Sequence, residues 1–245
     1  MLKLYGFHSS TCVRRVATVL LEKQVPFEFV DIDLATAEHK SGAFLEHQPF
    51  GQVPYIEDDG LILYESRAIC RYIVEKYPTH GPQLVPTDII GRALFEQAAS
   101  IEYCNFDPFC SGAVAEMIFK PMGGHPHSKE VFDKLVKSLS AKLDGYEVIL
   151  GKQRYLAGDE LTLADLFHLP YGFMLAQAGS DLMTTKGPNV ARYAPSQIAF
   201  CSPLAFRLLR WFKELCERDS WALVKETVRT IPSVRAQMLI EGKEV

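Results

Sequence analysis

The sequence lacks three features that would each point to a particular class of protein. Its 26 lysines and arginines stand against 30 aspartates and glutamates, a net charge of −4, so it has no basic bias typical of nucleic-acid binding. No apolar run reaches the roughly 18 residues of a transmembrane helix. The N-terminal stretch MLKLYGFHSST has neither the apolar segment nor the cleavage site of a secretory signal. We therefore expect no nucleic acid as a partner and no membrane span.

Cysteine is present but not organised. The six cysteines stand at positions 12, 70, 104, 110, 201 and 216 and form no CxxC pair. In a chain of 245 residues this is typical of thiols in a reducing compartment, so we expect a cytoplasmic protein. No histidines have a ligand spacing such as HExxH, so we predict no metal site and no bound cofactor.

What the sequence does contain is a change of pattern near residue 78. Residues 1–77 alternate between strand and helix patterns in the order βαβαββα. Residues 78–87 hold three prolines and a glycine and are interpreted as a linker. Helical periods dominate residues 88–245, with a bend expected near Asp107-Pro108 and further helices over 128–150, 161–179 and 204–228. The fold class is therefore an α/β domain followed by an all-α domain.

Two local features of the first domain concern the loops that precede its helices. The stretch HSSTCVRR, 8–15, places hydroxyls at the start of a helix, where free backbone N–H groups favour an anion. The ordinary explanation is an N-cap, since serine and threonine are preferred there. Glu65 and Ser66 likewise begin a helix and could hold an ammonium group and a carboxylate, although taken alone the ordinary explanation is a capped helix with an acidic first turn.

Two further features lie on loops. Val53-Pro54 precedes a strand, and a cis bond there would turn the Val53 backbone outward toward an extended peptide, whereas the ordinary explanation is a loop proline. His39 and Lys40 are adjacent cations, most often a solvated pair and sometimes an anion site. Together the four features fit one ligand, an extended peptide with charged ends and a reactive centre facing the serines. Glutathione meets that description.

Longer stretches strengthen this interpretation. They are STCVRRV (10–16), AEHK (37–40), QPFGQVP (48–54), ESRAI (65–69), FKPM (119–122) and YLAGDELTLADLFHLPY (155–171). In combination the chain resembles the cytosolic glutathione transferases, most closely their phi class of plants and fungi. The resemblance implies a thioredoxin-like domain followed by a helical bundle. It also implies a detoxification enzyme that conjugates glutathione, its co-substrate, to small apolar electrophiles, with a possible peroxidase side activity.

The resemblance also assigns roles to residues. Ser10 matches the catalytic serine, and Phe50 matches an aromatic residue that these homodimers insert into the partner subunit. The glutathione contacts that it implies are His39, Lys40, Gln52, Val53, a cis Pro54, Glu65 and Ser66. We further predict a second-substrate pocket that includes Phe7, Phe109 and Phe119.

Two departures from the class stand out. Residues 183–203 resemble an insertion of roughly twenty residues, which we expect to shape the entrance for the second substrate. The C-terminal tail is also longer than is usual in the class, and its role cannot be inferred from the resemblance.

The choice among the nucleophiles of the first loop leaves alternatives. A serine hydroxyl that donates to the sulfur of glutathione would stabilise its thiolate. Cys12 offers a rival chemistry, a mixed disulfide with glutathione, as in a thiol transferase or dehydroascorbate reductase. A third interpretation is a ligandin-like binder of apolar compounds without catalysis. It depends on the aromatic residues Tyr103, Phe106, Phe109 and Phe119, which are more often simple core.

Overall fold

The structure is a computed structural model that describes residues 1–186 and 207–229. These residues form two compact units, residues 1–85 with 219–229 and residues 86–186 with 207–218. The boundary at 85/86 falls inside the segment interpreted as a linker. Residues 219–229 were expected to continue the helical domain, and in the structure they belong to the first unit.

The first unit has the predicted order of elements. They are β1 (Leu2–Gly6), α1 (Thr11–Glu22), β2 (Phe27–Asp31), a 3-10 turn (Glu38–Lys40), α2 (Gly42–Leu45), β3 (Tyr55–Asp58), β4 (Leu61–Tyr64), α3 (Ser66–Lys76) and α12 (Asp219–Val224). Apart from α12, this is the βαβαββα order predicted for a thioredoxin-like domain, and the prediction is confirmed.

A four-stranded mixed sheet in the order β2-β1-β3-β4 organises the first unit. β1 and β2 are parallel, whereas β3 is antiparallel to both β1 and β4. Alternate residues of β1, such as Leu2 and Leu4, are fully buried, as a strand with one face on a core requires.

Helices cover the sheet because their apolar stripes need burial. α1 buries Val13, Val16 and Leu20, and α3 buries Ile69 and Ile73. A separate cluster consists of Ile32, Phe44 and Tyr55, against which Tyr5, Leu34, Val53, Ile62 and Tyr64 pack. Phe44 brings α2 into this cluster.

Residues 219–229 pack with the first unit through a small apolar group. Trp221, Val224 and Val228 are at most 1% exposed. The helical period predicted over 204–228 is realised as two helices, α11 (Arg207–Cys216) and α12, and the helix ends at Val224. The last four residues of the predicted helix, 225–228, are irregular, and two of them bond elsewhere: the Glu226 carbonyl accepts from Arg14 Nη2, and the Val228 N–H donates to the His8 carbonyl.

The second unit is helical, as predicted. Its elements are α4 (Ile89–Ile101), a π-helical segment (Glu102–Phe106), α5 (Asp107–Val114), a second π-helical segment (Ala115–Phe119), α6 (Lys120–Met122), α7 (Lys129–Leu150), α8 (Leu163–Leu166), α9 (Leu169–Gln177), α10 (Leu182–Thr185) and α11. Residues 89–122 therefore form one long helical path. Its first π-helical segment ends directly before Asp107 and Pro108, where the bend was expected. The 183–203 stretch lies outside the described residues from position 187 onward, as does the tail after Arg229.

A buried carboxylate holds the core of this unit. Asp165 accepts hydrogen bonds from the backbone N–H of Leu156 at 3.0 Å, from the N–H and hydroxyl of Thr162 at 3.0 and 3.1 Å, and from Trp211 Nε1 at 2.8 Å. The bond from the Thr162 N–H to the Asp165 side chain is one half of a capping box at the start of α8. Nearby, Tyr146 and His168 share a buried hydrogen bond of 3.0 Å. None of the helices described is long and apolar enough to cross a membrane.

Asp165→Ala should lower the free energy of unfolding by about 3 kcal/mol or more, because it leaves several buried donors without an acceptor. Urea denaturation measures the effect. Asp159→Ala is the control, since the exposed carboxylate of Asp159 accepts a single bond, from the Arg154 N–H at 3.1 Å. Equal losses in the two variants would contradict the structural role of Asp165.

Candidate functional site

One edge of the sheet gathers the loops that carry the predicted site. Gly6 at the end of β1 pairs with Asp31 at the end of the parallel β2. Tyr5 pairs with Tyr55 at the start of β3, and Tyr55 pairs with Tyr64 at the end of β4. Strand pairing therefore brings three segments to the same edge of the sheet, residues 7–10, 52–54 and 65–66.

Ser10 is the N-cap of α1. Its backbone is extended, with φ −65° and ψ 132°, and its N–H donates to the Phe7 carbonyl at 2.9 Å. Its Oγ accepts from the Val13 N–H at 3.5 Å, a long bond. Because this contact occupies only an acceptor position of a partly exposed hydroxyl, the hydroxyl proton can be donated to a ligand at the helix N-terminus.

The neighbouring nucleophiles have different settings. Thr11 is buried, and Ser9 is partly exposed like Ser10. Cys12 lies in the first turn of α1, and Arg15 Nη1 approaches its Sγ at 3.6 Å. This contact with a guanidinium is the observation that bears on the rival chemistry.

Two other cysteines are excluded as nucleophiles by burial. Burial raises the pKa of Cys70 to about 12 and raises that of Cys110 well above its usual value. Both thiols stay protonated at neutral pH and serve as apolar core groups.

The loop before β3 matters to the site through the backbone groups of Val53. The Val53-Pro54 bond is cis, as the sequence predicted. The Gln52 N–H is held by Oε1 of the buried Gln48 at 3.1 Å, and the Gln52 side chain is exposed. Within residues 1–186 and 207–229, no hydrogen bond joins the Val53 backbone to another residue. An extended peptide is the kind of ligand that such a backbone can pair with.

The start of α3 combines strain with a buried hydroxyl. Glu65 has φ 69° and ψ 105°, a conformation that costs a non-glycine residue about 1–3 kcal/mol, and its side chain is exposed. Ser66 is 6% exposed, and its Oγ accepts from Arg15 Nη1 at 2.9 Å. The Ser66 hydroxyl proton therefore points to a partner other than Arg15.

Arg15 is the site residue that the sequence did not reveal. It stands outside the apolar period of α1, yet it is 1% exposed. The available signal was the Arg14-Arg15 pair near a helix N-terminus, where the helix dipole disfavours cations. Two arginines at such a position therefore indicate a specific interaction. For Arg15 this interaction is its hydrogen bond to Ser66.

His39 and Lys40 occupy the 3-10 turn. His39 Nδ1 is buried and has no hydrogen-bond partner in the described part of the chain. Burial, and secondly the charge of Lys40, lowers the pKa of His39. Lys40 Nζ donates to the carbonyl oxygens of Phe50 and Gly51 at 3.2 and 2.7 Å. Lys40 thus holds the loop of Phe50.

The aromatic residues predicted for a second substrate fall in both units. Phe7 is partly buried in the first unit, with its ring centroid 4.3 Å from that of His8. Phe109 and Phe119 are partly buried in the second unit, and Phe119 ends one of its π-helical segments. A pocket shared by the three remains a prediction.

Comparison with known proteins matches both parts of the chain. Residues 1–75 match the family model for the N-terminal domain of glutathione S-transferase, and residues 112–195 match that for its C-terminal domain. The chain is 48% identical over 198 residues to the Arabidopsis thaliana glutathione S-transferase PM239X14, covering 79% of this chain and 90% of the relative. It is 34% identical to the Arabidopsis glutathione S-transferase F13, over 95% of this chain and 98% of that one.

A solved structure agrees with these relatives. The crystal structure of glutathione transferase F2 from Populus trichocarpa superposes with a TM-score of 0.80 at 38% identity, covering 92% of this chain and 98% of the other.

Arg15→Met should weaken glutathione binding about tenfold, because the Ser66 hydroxyl loses the donor that orients it and the site loses a buried positive charge. Isothermal titration calorimetry measures the dissociation constant. Arg71→Met is a matched control from α3, since Arg71 is partly exposed and donates to the Arg67 carbonyl at 3.2 Å. Similar dissociation constants for the two variants would remove Arg15 from the site.

Proposed function

This chain belongs to the glutathione S-transferase family as a phi-class transferase, and from that premise we propose that the hydroxyl of Ser10 stabilises the thiolate of bound glutathione. The observation that carries the proposal is the position of Ser10. It is a partly exposed N-cap whose Oγ makes one long contact, to Val13 N–H, at an edge where three loops of the site meet. Its proton can therefore be donated to a sulfur atom above the helix.

The energies are of the size that this activation needs. A free thiol has a pKa of about 8.5, and lowering it by about two units requires roughly 2.7 kcal/mol. A hydrogen bond to a charged group contributes about 1.5–3 kcal/mol. The N-terminus of the twelve-residue α1 adds about 0.3–1 kcal/mol. Ser10 acts as a donor and not as a nucleophile, so it needs no histidine base.

The other predicted residues can hold the rest of the tripeptide. The exposed carboxylate of Glu65 suits the ammonium group of the γ-glutamyl end, and Ser66 with Arg15 behind it suits the carboxylate there. The unpaired backbone of Val53 suits the cysteinyl residue, with Gln52 beside it. His39 Nδ1 and Lys40 suit the glycyl carboxylate, and a carboxylate would also satisfy the buried ring nitrogen of His39.

The reaction follows from the thiolate. Its sulfur attacks an electrophilic carbon of a small apolar compound, a C–S bond forms, and the leaving group departs with its electron pair. The predicted pocket of Phe7, Phe109 and Phe119 fits such a substrate by its apolar character. With an organic hydroperoxide as the oxidant, two glutathione molecules would give the disulfide, the alcohol and water.

The second candidate is the thiol transferase chemistry of Cys12, whose Sγ lies 3.6 Å from Arg15 Nη1. We rank it lower because Cys12 is one residue inside α1, whereas Ser10 stands before the helix and faces its free N–H groups. A purely ligandin-like role, which depends only on aromatic residues, is separated from both enzymes by a turnover assay.

We also propose a cytoplasmic homodimer. Phe50 is 63% exposed, and its ring meets that of Tyr64 edge-on at 6.1 Å. In the second unit, α4 exposes Ile89, Ile90 and Leu94 by 85%, 70% and 47%. Apolar side chains this exposed are typical of surfaces covered by a partner. The five cysteines of the described residues are free thiols, which suits a reducing compartment.

Ser10→Ala should lower conjugation by about 10- to 100-fold, which corresponds to roughly 1.4–2.7 kcal/mol of lost thiolate stabilisation. Ultraviolet absorbance of bound glutathione against pH should show its thiol ionising at higher pH, while its dissociation constant changes much less. Ser9→Ala is the matched control, since Ser9 is a neighbouring and also partly exposed hydroxyl whose removal should leave the titration in place.

Cys12→Ser separates the two chemistries. It should leave conjugation within a few-fold of the parent enzyme. If Cys12→Ser abolishes activity and Ser10→Ala leaves the titration unmoved, the chain acts as a cysteine-dependent thiol transferase instead.

Phe50→Ala should weaken the dimer by about 2 kcal/mol or more, because an anchor residue is lost from the interface. Sedimentation equilibrium gives the dimer dissociation constant. Met122→Ala is the control, since Met122 is 69% exposed and lies on the short helix α6. A parent protein that is monomeric at micromolar concentration would contradict the proposal.

A further inference from the structure

Residues 225–229, which we name the C-terminal strap, bond to the loop that leads to Ser10. The Val228 N–H donates to the His8 carbonyl at 3.2 Å. One residue further on, the Arg229 guanidinium donates to Asp31 Oδ2 through both Nε and Nη2. On the other side of Ser10, Arg14 Nη2 donates to the Glu226 carbonyl at 2.7 Å. The strap therefore contacts the chain both before and after the serine.

Both backbone groups and the ring Nδ1 of His8 have polar contacts. Its N–H donates to Asp31 Oδ1 at 3.1 Å, and its ring Nδ1 lies 3.1 and 3.2 Å from the two carboxylate oxygens. Its carbonyl accepts from Val228. Because both backbone groups of His8 are bonded, the residue two places before Ser10 has little freedom to move.

Asp31 joins these contacts. Its carboxylate, at the end of β2, accepts hydrogen bonds from His8 and from Arg229. Burial raises the pKa of Asp31, but the hydrogen bonds from Arg229 and His8 outweigh it, so the net pKa is lowered. The carboxylate is thus a charged acceptor at neutral pH, which strengthens all of its hydrogen bonds.

The strap is an ordered part of the first unit. Val228 is 1% exposed, and Trp221 and Val224, in the helix before it, are fully buried. Arg229 is 59% exposed, so removal of its side chain leaves the packing intact. The two matched family models end at residues 75 and 195, so the strap lies outside what they describe.

We propose that the C-terminal strap, acting through Asp31 and His8, positions the loop that carries Ser10, with Arg229 and Asp31 as positioning residues for glutathione activation; this rests on the role proposed for Ser10. A hydroxyl must lie within hydrogen-bond distance of the sulfur to stabilise a thiolate, and a displacement of about 1 Å removes much of that effect. The bonds to His8 and Arg14 fix the chain on both sides of this hydroxyl.

The test is Arg229→Ala in the full-length enzyme. Conjugation should fall about 3- to 10-fold, with the dissociation constant of glutathione changed less than about twofold, because the residues that hold the tripeptide are untouched. The thiol of bound glutathione should ionise at higher pH in the ultraviolet titration. A purely structural role would leave that titration unchanged. Arg229→Lys, which keeps one donor, should recover part of both effects.

Arg154→Ala is the matched control. Arg154 is 57% exposed and pairs with Glu214, which is 28% exposed, against 59% and 25% for Arg229 and Asp31. Its removal should leave activity and titration unchanged. Asp31→Asn should act in the same direction as Arg229→Ala, and the double variant should be no worse than the Asp31→Asn single one, since Arg229 acts through Asp31.

The outcomes separate this proposal from the one on which it rests. If Ser10→Ala shifts the titration and Arg229→Ala behaves like Arg154→Ala, the strap has no positioning role and the inference is wrong. If Ser10→Ala leaves the titration unmoved, the role of Ser10 is wrong. Additive losses in the Asp31→Asn, Arg229→Ala double variant would also overturn the inference.

Discussion

The hydrogen bond from the buried Arg15 guanidinium to the Ser66 hydroxyl joins the two helices that form the site. α1 begins beside Ser10 and α3 begins at Ser66, so a single 2.9 Å contact fixes one helix N-terminus against the other. Burial of a guanidinium costs free energy unless its N–H groups are hydrogen-bonded. The contact therefore stabilises the fold and also restricts how the two helices can be placed. Two positive helix ends and a fixed cation then face one edge of the sheet, an environment suited to a ligand with two anionic groups.

The sequence predicted the fold well where structure depends on neighbouring residues. Alternating strands, the Ser10 cap and the bond from Thr162 to Asp165 are local patterns, and the structure contains them. The helix predicted over 204–228 corresponds, within the described residues, to the separate helices α11 and α12, and the prediction extended too far past Val224. Residues 225–229 have no sequence signal for leaving the helix, since their bonds go to residues near the N-terminus of the chain, and no local pattern encodes such a contact.

The same division applies to the candidate site. Ser10, Val53 and Glu65 stand at helix starts or beside a proline, and these positions could be recognised from their immediate neighbours. Arg15 escaped recognition because its partner is 51 positions away. Asp31 and Arg229 are 198 positions apart, and they meet only because β2 ends at the edge where the chain returns. Charge pairs of this kind become visible when strand pairing and chain path are known.

The two π-helical segments of the 89–122 stretch carry a consequence for comparing this chain with its relatives. A π-turn closes its hydrogen bond over one residue more than an α-turn does. The apolar stripe of the long helix is therefore displaced by one position after Glu102–Phe106 and again after Ala115–Phe119. A relative that lacks one of these segments would keep the same helix axis with one residue fewer at that place. Alignment with such a relative would require a single-residue gap inside what looks like uninterrupted helix.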